Sequence, residues 1–124
     1  MVTVTREDIE AGWRPLTDAE AATVPALSVY AWRLLSTAVP GLERRTDRDE
    51  DLAELVRLEM VMAIRRVLAN PDFTRQVSTT VDDATVSRTI DSSVSSGALY
   101  FPPDVLDRLR PRRHRGAFSV RAVW

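Results

Sequence analysis

The sequence contains no cysteine and no lysine. Without cysteine there is no disulfide framework, no thiolate zinc site and no cysteine nucleophile. All 17 basic residues are arginine, a bias that says little about chemistry. Four glycines among 124 residues leave no room for a glycine-rich phosphate loop. The single histidine, His114, stands inside an arginine cluster, where neighbouring positive charge disfavours its protonation and no carboxylate is close in sequence to orient it. It is expected to be a plain surface residue. No stretch of about 18 apolar residues is present, as a membrane span requires. The opening residues "MVTVTREDIE" place charges where a signal peptide would carry its apolar core, so the chain is expected to be soluble and unexported. Asp47, Asp49 and Asp51 have calcium-loop spacing but lack that loop's glycine and its distal glutamate, so they are expected to form a solvated helix start. No catalytic constellation emerges. The chain is not expected to be an enzyme, and no cofactor or metal is expected.

What the sequence does contain is enough apolar material for one core. At 124 residues and 44% hydrophobic it has the size of a single compact domain, and such a domain buries about two thirds of its unfolded surface. The net charge of −1 conceals an asymmetry. Residues 1–107 carry 11 arginines and 18 acids, a balance of −7, whereas residues 108–124 carry six arginines and no acid, a balance of +6. A basic tail on an acidic body points to a partner with an acidic surface, either nucleic acid or another protein subunit.

The pattern along the chain predicts a mainly α protein, a small bundle of about four helices. Thr5 with Asp8, and Thr17 with Glu20, have capping-box spacing and start two helices, the first ending near Gly12 and Pro15. Pro25 is expected to kink the second helix or split it. Leu27, Tyr30, Ala31, Leu34, Leu35 and Ala38 form an apolar stripe closed by Pro40 and Gly41. "ERRTDRDED" reads as a charged connection. From about Asp49 to Ala69 a wider stripe of Leu52, Leu55, Val56, Met60, Ala63, Ile64, Val67 and Leu68 marks the strongest helix, expected to run antiparallel to the one before it. After Pro71 the period changes to alternation at Val77, Val81, Ala84, Val86 and Ile90 around Asp82 and Asp83, which predicts an inserted β-hairpin or extended loop over about 76–97. "LYFPPDVLDRLRP" predicts a last short helix. The domain reading is a helical body over 1–111 and an extended basic C-terminal arm over 112–124.

In the joint between the first two helices, Trp13 and Leu16 are expected to be packed and Arg14 to be an exposed contact. The ordered set "TREDIEAGWRPLTDAEAATVPALS", "VPGL", "RRVLANPDF" and "SSGALYFPPDVLDRLRPRR" with a final "AFSV" resembles the head-to-tail connector (adaptor) proteins of long-tailed double-stranded DNA phages, in particular those of actinobacterial phages. The similarity runs over nearly the whole chain.

The resemblance implies a structural virion protein, assembled in the host cytoplasm and located at the head-tail interface. It implies a homo-oligomeric ring, typically dodecameric, beneath the portal protein. Such a ring extends the DNA channel, lets double-stranded DNA pass without sequence-specific contact, and offers a platform to the next tail-side protein, a stopper or tail terminator. With it come site expectations. Arg110, Arg112, Arg113, Arg115, Phe118, Val120 and Trp124 are expected at the portal or subunit interface, and Asp82 and Asp83 facing the channel or the tail-side protein. The alternative is a small nucleic-acid-binding protein that uses "RLRPRRHR" on phosphates. Against it stands the acidic body, which would repel a duplex. An antitoxin or regulator with a disordered tail would account for the arm but not for the hairpin.

Overall fold

The computed structural model describes residues 1–70 and 99–111. Both the predicted hairpin insert and the arm from Arg112 lie outside these residues. Within them the protein is mainly helical, with five helices and no strand.

An extended N-terminal segment buries Val2 and Val4 and leaves Thr3 and Thr5 in solvent. It leads into α1 (Arg6–Glu10), where the capping box forms as the spacing predicts: Thr5 Oγ1 accepts from the Asp8 amide while Asp8 accepts from the Thr5 amide. Gly12 follows with φ of 72°, a left-handed conformation that a residue without Cβ adopts at no steric cost.

α2 (Asp18–Ala38) starts on the second box, Thr17 with Glu20. It continues through Pro25 as one helix, so the stretch before Pro25 is not split off from the one that follows. The reason is positional. Pro25 is exposed, so the helix forfeits one amide hydrogen bond on its wet side, where water can take the freed carbonyl. The buried stripe of α2 is Val24, Leu27, Ser28, Ala31, Trp32 and Leu35. Leu34, expected inside, is 36% exposed.

The predicted charged connection is a helix. Gly41, with φ of 79°, turns the chain into α3 (Leu42–Arg48), which buries Leu42 and Thr46 one turn apart and exposes its charged residues except the half-buried Arg45. Asp49 caps α4 (Glu50–Leu68), its carboxylate accepting from the amides of Asp51 and Leu52. α4 is the centre of the body. Val56, Met60, Ala63, Ile64, Val67 and Leu68 are buried as the stripe predicts, and Val61 joins them. Leu52 and Leu55 are only half-buried. The last helix, α5 (Pro103–Leu109), begins with proline in its first turn and buries Val105 and Leu109.

Bridging contacts fix the direction of α2 against α4. Arg57 on α4 donates to the Thr3 carbonyl, and the next amide, Val4, donates to Ser28 Oγ on α2 at 2.9 Å. Eight residues on along α4, Arg65 lies over Trp13, and its neighbour Arg14 grips Glu20, eight residues back along α2. Level 57 of α4 thus meets level 28 of α2, and level 65 meets level 20. The two helices run antiparallel.

Candidate interaction surfaces

At about 100° per residue, Asp51, Leu58, Met62 and Ala69 fall on the side of α4 opposite Val56, Met60, Ile64 and Val67. Their exposure agrees: Leu58 is 58% and Met62 51% exposed, one turn apart on the side of α4 away from its buried stripe. Two arginine-rich flanks frame them. On one flank Arg57 and Arg65 hold the N-terminal unit by its backbone. Arg65 Nε donates to the Ile9 carbonyl at 3.0 Å and a second guanidinium nitrogen donates to Ala11, so carbonyls at the α1 C-terminus are capped by a charged donor. On the other flank Glu59 accepts from Arg108 of α5 at 3.1 Å, and Arg66 stacks on the Tyr100 ring while donating to the Tyr100 carbonyl. Leu58 and Met62 therefore form the apolar floor of a trough between α1 and α5. On the α1 side the trough deepens into a groove of about 390 Å³ lined by Asp8, Ala11, Val61 and Arg65.

A second apolar patch lies on the outer face of α2, where Ala22, Pro25 and Val29 follow one another in solvent and Val29 is 38% exposed. Beside it a groove of about 450 Å³ opens between the N-terminal segment and α2, lined by Val4, Ala21, Val24 and Pro25. Arg33 continues this stripe one turn further. Among the described residues it forms no ion pair, whereas Arg6, Arg57, Arg108 and Arg110 each meet a carboxylate.

The joint between α1 and α2 is built from charge. Arg14, expected to be free for an external contact, instead forms a bidentate pair with Glu20, both bonds 3.0 Å, and stacks on Trp13 at 4.4 Å. Trp13 thus lies against two guanidinium groups, Arg14 and Arg65. Glu20 is 2% exposed. Burial by itself would raise its carboxyl, but bonds from Arg14 and from the Thr17 amide outweigh it and hold the group below the usual carboxylate range. The Glu20 bond in turn raises the Arg14 guanidinium. Glu10 also lies below its usual range, first because the Leu16 amide donates to it at 2.7 Å and then because Arg6 does. Trp13 and Leu16 pack as expected, Leu16 being 4% exposed.

Both carboxyls titrate lower in the folded chain than in the unfolded one, so the native state binds fewer protons and gains stability as pH rises through that window. Their contribution is complete above the unfolded carboxylate value of about 4.3, and it disappears as pH falls through the depressed native values. Melting temperature is expected to hold steady from neutrality to about pH 5 and then to fall. Glu20→Gln should melt lower at pH 7 yet lose less on acidification. An equally steep acid fall in that variant would remove Glu20 from the account.

Of the interface residues expected from sequence, only Arg110 lies among the described residues. It is exposed beyond the end of α5 and donates to Asp107. Arg112, Arg113, Arg115, Phe118, Val120, Trp124, Asp82 and Asp83 lie outside them. Arg108, which the charge count assigns to the basic tail, belongs to the body, paired with Glu59 and with Asp104 at 3.4 Å. Leu58 and Met62 are not among the residues that the sequence pattern singles out. The signal was present: two large apolar residues one turn apart and off the core stripe of an amphipathic helix. Among the described residues no cluster of His, Cys, Asp or Glu could hold a metal ion, and no helix is long and apolar enough to cross a membrane. Neither a family model, nor a curated protein, nor a solved structure matches the chain.

Proposed function

We propose that this chain is the repeating subunit of a ring that joins the portal of a long-tailed phage head to its tail. The observation that carries the reading is the pair of exposed apolar stretches, Leu58 with Met62 on α4 and Pro25 with Val29 on α2, each on the side of its helix away from that helix's buried residues. A small protein that leaves two different apolar faces in water is suited to a head-to-tail contact with copies of itself, and such contacts build rings when the rotation closes. The order of the "WRPLTDAE", "VPGL" and "SSGALY" stretches, which resembles phage connectors, supplies the identity of the ring.

In this reading the basic arm that follows Pro111 attaches the ring to the portal. Arg108 and Arg110 are already occupied by Glu59, Asp104 and Asp107, so the reading assigns the attachment to the arginines that follow in the sequence, from Arg112 on. Deleting residues 112–124 is expected to leave the helical circular-dichroism spectrum unchanged and to abolish co-sedimentation with portal-bearing, DNA-filled heads. Normal attachment of the truncated chain would contradict this role. Tight binding of the full chain to free duplex, weakening steeply with salt, would favour a nucleic-acid-binding protein instead.

A further inference from the structure

A closed ring restricts which residues can meet across its subunit boundary. Neighbours are related by pure rotation, with no step along the axis, so two patches can join only if they lie at the same height in one subunit. Heights can be read from the antiparallel α2 and α4, because level 28 of α2 meets level 57 of α4 and level 20 meets level 65. With these helices near the ring axis, Val29 and Leu58 differ in height by only two residues, about 3 Å at 1.5 Å per residue.

The stripes also match in chemistry. Along its outer face α2 presents Pro25, Val29 and Arg33, each four residues from the last, and α4 presents Met62, Leu58 and Glu54 at the same intervals in the opposite direction. Rotation about an axis parallel to the helices preserves their direction, so a neighbour's α2 still runs antiparallel to α4. Laid together, Pro25 faces Met62, Val29 faces Leu58, and Arg33 faces Glu54.

We propose that α2 of one subunit docks antiparallel in the α4 trough of a second copy of this chain, with Val29 on Leu58 at the centre and Arg33 paired with Glu54 at the rim. This deepens the ring reading and rests on it. The occupant is another copy because the same chain supplies both halves, matched in height, spacing and charge. Met62, unbranched and flexible, lies opposite the groove beside Pro25 and fills it. Among the described residues Arg33 has no ion pair, and the carboxylate it would meet, Glu54, is held there only by an exposed pair with Arg57.

The absence of cysteine makes the contact easy to trap. The full chain carrying both Val29→Cys and Leu58→Cys, assembled alone and on its portal and then oxidised, is expected to give a ladder of disulfide-linked multimers. Each single-cysteine variant should stay monomeric on a denaturing gel. Arg33→Glu and Glu54→Arg are each expected to reduce the ring fraction at least tenfold, and the double variant to restore it, with melting temperatures unchanged because both positions are exposed. Wild-type rings with no ladder, or with Arg33→Glu rings as abundant as wild type, would overturn this interface and leave the ring reading standing. Failure of the wild-type chain to form rings even on the portal would overturn both.

Discussion

Ile64→Ala is expected to lower the unfolding free energy by about 3–4 kcal/mol, within the range for buried Ile→Ala truncations. Ile64 has no exposed surface, and it sits on the side of α4 that faces α2. Met60, Val67 and Leu68, one turn away on the same helix, are also fully buried, so the seam has little freedom to collapse into the gap. At about 4 °C per kcal/mol for a domain of this size, the melting temperature should fall by about 12–16 °C. Leu58→Ala, on the opposite face of the same helix, should change the melting temperature of the monomer by less than about 2 °C. A thermal scan of the two variants checks both, and equal losses would contradict the assignment of inner and outer faces.

Arg14→Ala is the other large effect, for a different reason. Glu20 is shielded from water, yet its partner is partly wet, the Arg14 side chain being 40% exposed. Removing the guanidinium takes away both of its bonds and leaves the carboxylate the Thr17 amide. An uncompensated buried charge costs several kcal/mol, but the exposed side of this pair admits water and the carboxyl can take up a proton instead. The expected loss is about 2–3 kcal/mol at pH 7. The pH profile should change with it, because without Arg14 the burial effect is opposed by fewer bonds and Glu20 should titrate higher. Mild acidification from pH 7 to pH 5 should then narrow the gap to wild type. Arg14→Lys should recover only part of the loss, since an ammonium cannot present two parallel donors or stack flat on Trp13. Urea unfolding at the two pH values measures this, and a gap that widens on acidification would contradict the account of the joint.

Most of the helical body is legible from local chemistry. Thr5 with Asp8 and Thr17 with Glu20 mark helix starts because a cap acts over three residues, a distance that sequence displays directly. The α4 stripe is legible because its period is regular over 19 residues. α3 is not, because seven residues give room for one apolar turn, Leu42 and Thr46, and the six remaining residues up to Asp49 are charged. Pro25 misleads because its cost depends on which face it occupies, and that is set only when α2 packs. Arg14 misleads for the same reason: one pattern fits a free arginine and an arginine six residues from a buried carboxylate. The outer faces were the hardest to read. Leu58 and Met62 lie off the apolar stripe in the sequence, but only the packed helices show that their side of α4 stays uncovered.

The proposed role requires copies of this chain to close into a ring. Electron microscopy of the purified full chain, alone and mixed with its portal protein, tests that most directly. End-on class averages are expected to show closed rings of one size with an open central channel, and the Arg33→Glu variant to show dispersed small particles under the same conditions. Monodisperse small particles from the wild-type chain in both samples would contradict it.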